Sequence, residues 1–323
     1  MELKGTKILV IGGAGFIGSH VVEELRKEDA GEIIVYDNFT RGSMANLEEA
    51  LTDQRIRVFE LGGDILHTDI LNEAMKGVDY VFHLAALWLL HCQEYPRAAF
   101  KVNVEGTFNV IEACIRNNVK RLVYSSSASV YGDAVNFPME ESHPFHNRTF
   151  YGATKIAGEQ MCRAFYHRYA LDYLGLRYMN VYGPRQDYKG AYITVILRWL
   201  DMIERGEPLV IYGDGSQTYD FIYVRDAAKA NVLALKNGRA DNLYNVGSGE
   251  GTNLSELAEI LLGVIGKEDL GIQYEPQGVT YVTQRIGSTE KAEAELGFRA
   301  ETSLDEGLRN LIEWRERDKK NSQ

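Results

Sequence analysis

Three glycines at intervals of three residues constrain the fold of this chain more than any other feature. Gly12, Gly15 and Gly18 follow the apolar run at 7–11 and open an amphipathic segment at 16–27. Glycine permits a tight turn and a close approach of the backbone to a ligand, and the helix start adds free N–H groups and a partial positive charge. The pattern predicts a strand–loop–helix unit that binds the pyrophosphate of a dinucleotide.

Short apolar runs alternate with amphipathic segments through the first half of the chain. Strands are predicted at residues 7–11, 32–36, 55–60, 79–84, 121–125 and 172–177. Helices are predicted at residues 16–27, 69–76, 97–118 and 150–169. This alternation indicates an α/β fold, a Rossmann-type doubly wound parallel sheet with helices on both faces.

The alternation becomes less regular after about residue 180. Helices are predicted at residues 192–205, 227–236, 254–265 and 304–319, and strands at 208–212 and 243–246. Two helices begin with capping boxes, Asn253 with Glu256 and Ser303 with Glu306.

No flexible linker separates the two parts of the sequence, so we expect them to interleave. The predicted dinucleotide-binding domain covers residues 1–180, with a returning segment at about 209–246. The predicted smaller, substrate-binding domain covers residues 181–208 and 247–323.

An acidic residue follows the second predicted strand. Asp37 could accept both hydroxyls of an adenosine ribose and would repel the additional phosphate of NADP, so we expect NAD as the cofactor. The alternative is a solvated turn aspartate, and the nearby Arg41 weakens the discrimination. After the third strand, Asp64 could meet the adenine amino group or belong only to a turn.

The net charge of −11 bears on the possible partners. Such a surface repels nucleic-acid backbones and acidic membranes, so we expect no nucleic-acid or membrane partner. An anionic substrate therefore needs local cations or helix N-termini. The polar N-terminus and the lack of a stretch of about 20 apolar residues predict neither a targeting segment nor a spanning helix.

The three cysteines are Cys92, Cys114 and Cys162. Their spacing matches neither a zinc site nor a disulfide pattern. We therefore expect reduced thiols in a cytoplasmic protein, and no metal site.

A tyrosine and a lysine four residues apart form the candidate catalytic pair. Tyr151 and Lys155 share one face of the helix predicted at 150–169. A lysine cation and an oxidised nicotinamide would both favour the phenolate of a tyrosine whose ordinary pKa is about 10. A serine run that includes Ser125 and Ser127 ends the fifth strand, where a hydroxyl could bridge substrate and tyrosine or bond its own backbone.

With these pieces, the sequence resembles the extended short-chain dehydrogenase/reductases, in particular the nucleotide-sugar epimerase group, over nearly its whole length. The matching segments are residues 12–18, 36–38, 63–65, 83–86, 103–107, 125–132, 151–155, 177–186, 212–215 and 221–224.

The resemblance implies NAD-dependent epimerisation at C4 of a nucleotide diphosphate sugar through a transient 4-keto sugar. Ser127 would hold the 4-hydroxyl, Tyr151 would take its proton, and Lys155 would hold the nicotinamide ribose. Tyr178 would flank the nicotinamide, and Asn180 would bind near the substrate diphosphate. The implied cofactor-binding residues are Gly12, Gly15, Phe16, Ile17, Gly18, Asp37, Asn38, Asp64, Ile65, Leu84, Ala85, Ala86, Asn103, Ser125, Tyr151, Lys155 and Tyr178.

The residues after Ser127 discriminate among the reactions of this group. The 4,6-dehydratases place an Asp-Glu pair there, whereas this chain has Ala128 and Ser129. The cysteine of the 3,5-epimerising relatives and the glutamate of the decarboxylating relatives are also absent from this stretch. Simple C4 epimerisation needs no further group, so it is the expected reaction.

The chain departs from the family where the substrate phosphates are usually held. Tyr219 stands where an arginine is usual, and the later Arg-Pro-Gly-Asp segment is lacking. We expect Arg185 and Arg285 to supply the missing cations, or else to make surface ion pairs. The expected substrate-binding residues are Ser127, Tyr151, Asn180, Arg185, Tyr219 and Arg285.

The resemblance also implies a homodimer formed through the long helices at 97–118 and 150–169. Two other functions stay open: a net NAD-dependent oxidoreductase of the same fold, and a non-catalytic dinucleotide-sensing protein. His91 and Cys92 could add an acid, base or thiol near the nicotinamide, or only line the sugar pocket.

Overall fold

A computed structural model of the chain describes residues 1–188, 194–276 and 282–321. Its strands are β1 Lys7–Ile11, β2 Glu32–Tyr36, β3 Ile56–Val58, β4 Tyr80–His83, β5 Arg121–Ser127, β6 Tyr173–Tyr178, β7 Asn180–Tyr182, β8 Leu209–Tyr212, β9 Thr218–Tyr219, β10 Phe221–Tyr223, β11 Asn242–Val246, β12 Thr252–Asn253, β13 Ile272–Glu275 and β14 Gln284–Arg285. Its α-helices are α1 Phe16–Arg26, α2 Thr68–Ala74, α3 Leu89–Glu94, α4 Pro96–Ala99, α5 Thr107–Arg116, α6 Phe150–Tyr169, α7 Val195–Glu204, α8 Val224–Asn237, α9 Leu254–Ile265, α10 Glu290–Leu296 and α11 Leu304–Asn321.

Seven strands form one sheet in the order β11-β6-β5-β4-β1-β2-β3, and every neighbouring pair is parallel. The strand order reverses between β1 and β4. From β1 the chain adds β2 and β3 on one side, and it then adds β4, β5 and β6 on the other side. Ligands of open α/β sheets bind at the carboxyl ends of the strands beside such a reversal. The predicted Rossmann-type sheet is confirmed.

Both faces of the sheet are covered, which explains the continuous apolar runs of its strands. In β1, Ile8 and Val10 pack into a cluster with helices α1 and α8. Leu9 and Ile11 point to the opposite face and pack into a cluster with α5 and α6.

The later part of the chain extends the parallel sheet and also forms a separate apolar cluster. Strand β11 pairs with β6 at the sheet edge, and α8 packs on α1. Helices α7, α9 and α11 enclose a separate apolar cluster around the fully buried Trp199, beside the parallel pair β8–β13. Among the described residues, no helix combines the length and apolar character needed to cross a membrane.

The helix predicted at 97–118 is present without interruption, but it is not α-helical throughout. It consists of α4, a π-helical turn over Phe100–Gly106, and α5. Such turns often occur at functional sites. Here the turn carries Asn103, whose buried side chain bonds a distant loop rather than its own helix.

The ends of other elements differ from the prediction by small amounts. The Asn253–Glu256 capping box is complete, whereas at Ser303 the hydroxyl accepts a bond from Glu306 N at 3.3 Å. The strand predicted at 55–60 is shorter, over Ile56–Val58. The start of the helix predicted at 192–205 lies partly outside the described residues, and α7 begins at Val195.

Candidate active site

The glycine loop between β1 and α1 leaves room for a ligand backbone at the sheet reversal. Gly12 adopts a φ of 80°, and a Cβ there would lie 2.7 Å from the N atom of Ala85. A Cβ on Gly18 would overlap the carbonyl oxygen of Gly12. Gly15 caps α1 without a side-chain bond, so the amides of the first turn point into the loop without a side-chain acceptor. This cradle fits the pyrophosphate of a dinucleotide.

Asp37 lies over this loop at the end of β2. Its Oδ2 accepts from the Ala14 N–H at 2.9 Å, and its Oδ1 accepts from the Phe39 N–H at 2.8 Å. Burial raises the pKa of Asp37, and the backbone N–H donors oppose that rise. Gly63 packs on its backbone, since a Cβ there would overlap the carbonyl of Asp37. Asp37 is therefore a half-buried part of the loop, and its carboxylate retains lone pairs for ribose hydroxyls.

The residues around Asp64 form a fixed turn beside Asp37. The Tyr36 hydroxyl donates to the Asp64 carbonyl at 2.9 Å, and the Asp64 carboxylate accepts from Leu66 N at 2.9 Å. Ile65 is buried against Gly106 of the π-helical turn. Asn38 is exposed and accepts from its own turn.

Asn103 fixes the loop that follows β4. Its Oδ1 accepts from Leu87 N at 2.7 Å and its Nδ2 donates to Leu87 O at 2.9 Å. The same Nδ2 lies 3.1 Å from Thr154 Oγ1 on α6. The preceding residues, Leu84, Ala85 and Ala86, are half-buried beside Gly12. The structure thus uses the Asn103 amide to join the loop to the helix that carries Tyr151 and Lys155.

His91 and Cys92 occupy the wall of this loop. The His91 ring lies 5.1 Å from the ring of Tyr95. Cys92 is fully buried, its thiol donates to Leu87 O at 3.2 Å, and burial raises its pKa to about 11. Cys92 is therefore protonated at neutral pH and is no thiolate nucleophile.

Ser127, Tyr151 and Lys155 converge at the carboxyl edge of the sheet. Thr149 caps α6 by accepting from Gly152 N at 3.1 Å, which places Tyr151 and Lys155 in the first turns. The Lys155 ammonium lies 5.7 Å from the centre of the Tyr151 ring. Ser127, the last residue of β5, is hydrogen-bonded to the Tyr151 hydroxyl.

Burial opposes the charged form of both members of this pair. It raises the pKa of Tyr151 well above its ordinary value, while the bond from Ser127 and the charge of Arg285 lower it. Burial also lowers the pKa of Lys155 to about 8, and its ammonium donates to Ser125 O at 2.7 Å. A further positive charge at the site, such as an oxidised nicotinamide, would favour the phenolate that a base requires.

Tyr178 is held beside these groups by two hydroxyl contacts. Its OH lies 3.1 Å from Ser125 Oγ and donates to Asn231 Oδ1 at 2.9 Å. Asn231 on α8 was not predicted, because nothing in the local sequence links it to β6. These bonds fix the Tyr178 ring next to Ser127, with which it pairs across β5 and β6.

A buried ion pair between α6 and β6 is hydrogen-bonded to the serine run. The sequence did not predict this pair. Glu159 and Arg177 are both nearly inaccessible, with two N–O contacts of 2.8 Å. Ser126 donates to Glu159 at 2.5 Å, and Arg177 donates to Tyr131 OH at 2.8 Å. The only available signal was the position of Glu159 four residues after Lys155 on α6.

The substrate-side residues are not all brought together. Asn180 donates to Asp220 O at 3.2 Å, and the Tyr219 hydroxyl donates to Val282 O at 2.8 Å. Arg185 forms an ion pair with Glu23 of α1. Tyr219 therefore has its only proton engaged within the protein, and Arg185 has a carboxylate partner.

Arg285 differs from Arg185. Strand β14 pairs with β9 so that Arg285 lies directly beside Tyr219, the position where the family arginine is usual. Its Nε is buried without a hydrogen-bond partner among the described residues. Its charge acts on Tyr151, so the guanidinium lies near the candidate catalytic pair.

The parallel sheet, the glycine cradle at its reversal and the Ser–Tyr–Lys set together define a dinucleotide-dependent enzyme of the short-chain dehydrogenase/reductase class. Residues 8–247 match the model of the NAD dependent epimerase/dehydratase family. The chain belongs to this family, and NAD is its cofactor.

Solved structures of similar proteins cover nearly the whole chain. A UDP-N-acetylglucosamine 4-epimerase from Methanobrevibacter ruminantium, in complex with UDP-N-acetylmuramic acid, is 32% identical with a TM-score of 0.90, over 98% of this chain and 100% of that one. A UDP-glucose 4-epimerase from Thermotoga maritima, with UDP-glucose, is 34% identical with a TM-score of 0.88, over 97% and 99%. A UDP-glucuronic acid 4-epimerase from Bacillus cereus, with UDP-glucuronic acid and NAD, is 27% identical with a TM-score of 0.87, over 97% and 99%.

Proposed function

We propose that this protein interconverts C4 epimers of a nucleotide diphosphate sugar. The observation that carries the proposal is the convergence of Ser127, Tyr151 and Lys155 beside the glycine cradle. NAD supplies the chemistry of accepting a hydride from the sugar carbon and returning it. The similar 4-epimerases support the assignment along nearly the full length of the chain.

The three side chains divide the proton chemistry among them. Ser127 orients the sugar 4-hydroxyl, and the Tyr151 phenolate takes its proton as the C4 hydrogen leaves with its electron pair. The resulting 4-keto sugar turns over, regains the hydride on its other face, and takes the proton back from Tyr151. No net oxidation results. Lys155 holds the nicotinamide ribose, and its charge favours the phenolate.

The cofactor is assigned to the sheet reversal. The first-turn amides of Phe16, Ile17 and Gly18 hold the pyrophosphate, and Asp37 accepts the ribose hydroxyls. Asn103 acts through the loop that it fixes, and Tyr178 flanks the nicotinamide. The remaining proposed contacts are Gly12, Gly15, Asn38, Asp64, Ile65, Leu84, Ala85, Ala86 and Ser125.

The turn after Ser127 favours epimerisation over dehydration. Ala128 and Ser129 form a buried turn in which Ser129 N donates to Ser127 Oγ at 3.1 Å. Neither residue supplies the acid and base that the elimination of water requires.

The proposal also covers the roles of the two domains, the partner of the chain and its location in the cell. Residues 1–180 with the segment at about 209–246 bind NAD, and residues 181–208 and 247–323 bind the substrate. A second copy of the chain covers the exposed aromatic residues of α5 and α6. A reducing, cytoplasmic location fits three free, buried cysteines.

The test is a panel of UDP-sugars incubated with purified protein, with product stereochemistry followed by NMR and NADH followed by absorbance. We expect the C4 epimer to form without net NADH, and no product with Tyr151→Phe. Stoichiometric NADH would instead establish a net oxidoreductase. Tight NAD binding with no turnover of any sugar nucleotide would establish a dinucleotide sensor.

A further inference from the structure

Three side chains from different loops contact one another at the carboxyl edge of the sheet. The Arg41 guanidinium lies over the Trp88 ring, 4.7 Å from its centre, and it forms an ion pair with Asp187 at 3.0 Å. Arg41 follows β2, Trp88 follows β4, and Asp187 follows β7. The three residues therefore form a continuous bridge between three loops, with the arginine at its centre.

The order of the strands places this bridge across the glycine loop. Strand β1 lies between β2 and β4 in the sheet, and its carboxyl end leads into the glycine loop. The loop of Arg41 is fixed to one side of the glycine loop, because Ser43 N donates to Ala14 O at 3.1 Å. The loop after β4 packs against the other side, where a Cβ on Gly12 would lie 2.7 Å from Ala85 N. A contact between the loops that follow β2 and β4 must therefore pass over the glycine loop.

The third residue of the bridge is held near the start of α1. Arg185, two residues before Asp187, forms an ion pair with Glu23 of α1. Phe16, the first residue of α1, packs against the separate apolar cluster around Trp199. The bridge therefore also connects the parallel sheet to the part of the molecule that this cluster organises.

The contacts of the bridge are accessible to water. The side chains of Arg41 and Asp187 are 39% and 36% exposed. Ion pairs and cation–π contacts at such positions are weak, so a bridge made of them opens easily in the protein alone. The proposed cradle brings the negatively charged pyrophosphate of NAD to the loop that the bridge crosses. A bound dinucleotide therefore offers Arg41 a further partner and favours the closed bridge.

We propose that Trp88, Arg41 and Asp187 form a strap that retains NAD between turnovers. In the proposed site the adenosine half of NAD lies toward Asp37 and the nicotinamide half toward Tyr151, so a strap over the glycine loop crosses the cofactor between two bulky ends. NAD then enters or leaves only when the strap opens. An epimerase regains its NAD at the end of each cycle and has no need to exchange it. The inference rests on the proposed cofactor site, and it does not depend on the chemistry at C4.

The test measures the rates of cofactor exchange in both directions. Protein loaded with the fluorescent analogue etheno-NAD is chased with excess NAD, and stopped-flow mixing of the analogue with cofactor-free protein gives the association rate. We expect Arg41→Ala to raise the release rate roughly tenfold and the association rate roughly threefold, because removing a barrier speeds passage both ways. Asp37→Ala removes a contact with the cofactor instead, so it should raise release and leave association within about twofold.

Further variants test the other members of the strap. Trp88→Leu should behave as Arg41→Ala does, whereas Trp88→Phe keeps a ring under the guanidinium and should fall between Trp88→Leu and the wild type. The two changes Arg41→Ala and Trp88→Leu together should add little to either alone, because both remove the same contact. Asp187→Asn removes only one of the two contacts of Arg41 and should have a smaller effect. The matched control, Arg57→Ala, removes an arginine from an exposed ion pair with Glu32 and should exchange NAD as the wild type does.

The outcomes separate the strap from the proposed function, because exchange is measured without a sugar nucleotide. An unchanged release rate in Arg41→Ala would overturn the strap. Faster release with unchanged association would also overturn it, since Arg41 would then be a simple contact with the cofactor. If Asp37→Ala leaves both rates unchanged as well, the proposed cofactor site is wrong, and not the strap alone. Circular dichroism checks that each variant is folded.

Discussion

At the scale of single residues, Tyr151 and Lys155 are placed where burial disfavours the charge of each. Their reactivity therefore depends on neighbours: Ser127 bonds the tyrosine hydroxyl, and Ser125 O accepts from the lysine. Burial keeps Tyr151 neutral in spite of these neighbours, so the additional positive charge of the nicotinamide would favour its phenolate and couple proton transfer to cofactor binding.

Tyr151→Phe tests the proton-transfer role directly. Because the phenylalanine cannot take a proton, we expect kcat to fall by roughly 10²–10⁴-fold. NAD should stay bound, since the glycine cradle and Asp37 are unchanged. Stopped-assay NMR gives the rate, and the absorbance of NAD released on denaturation gives the occupancy. Near-normal turnover would remove Tyr151 from the mechanism.

Asp37 should set the preference for NAD over NADP. Two variants separate its functions, since its carboxylate also accepts from Ala14 N and Phe39 N. Asp37→Asn keeps an acceptor but removes the repulsion of a 2′-phosphate. The affinity for NAD divided by that for NADP should therefore fall. Asp37→Ala should lower the same ratio of affinities and also weaken the binding of NAD. Calorimetry on cofactor-free protein measures both, and an unchanged ratio in the two variants would leave Asp37 only its support of the loop.

At the scale of elements, α6 and β6 are joined beneath the site by the Glu159–Arg177 pair. Removing one partner of a buried pair leaves an uncompensated charge, so Glu159→Ala should lower the free energy of unfolding by about 3–5 kcal/mol. The matched control is Glu112→Ala, which breaks an exposed pair with Arg116 on α5 and should cost less than about 1 kcal/mol. Urea unfolding measures both, and equal effects would show that Arg177 finds another partner.

Elements with strong local signals could be read from the sequence, and those set by distant contacts could not. Helix α6 and helix α9, which begins at the Asn253 capping box, have the bounds that were predicted. The π-helical turn within the helix predicted at 97–118 escaped prediction, because the contact that accompanies it joins Asn103 to Leu87, 16 residues earlier.

The same contrast applies to the site. The glycine loop, Asp37 and the Ser–Tyr–Lys set carry recognisable spacing, and the structure places that catalytic set together. Asn231 and Glu159 lie 53 and 33 residues from the partners Tyr178 and Ser126, so no local pattern marks them. The roles of the individual residues and the domain boundaries stay predictions.

At the scale of the whole molecule, an aromatic surface remains on the helices around the site. The π-helical turn, α5 and α6 pack on one another. Four aromatic side chains on these elements are nevertheless between 41% and 52% exposed: Phe100, Phe108, Phe150 and Tyr169. Phe108 packs edge-on against Phe165, whose ring also lies 5.3 Å from that of Tyr169. Exposed apolar surface is typical of interfaces between chains, so we expect a second copy of the chain to cover these residues.

A homodimer that buries this surface should therefore separate when charge is placed on it. Full burial of an exposed phenylalanine contributes about 1.5–3 kcal/mol. Phe108 and Phe150 are 41% exposed, so each contributes less than half of that, but a two-fold interface counts each residue twice. We expect the wild type to elute with twice the 36.4 kDa mass of the chain in light scattering, and Phe108→Glu with Phe150→Glu to elute as a monomer. Tyr274→Glu, on a ring of β13 that is 51% exposed, is the control and should remain dimeric. Circular dichroism checks that the double variant is folded, and a folded double variant that still dimerises would place the interface elsewhere.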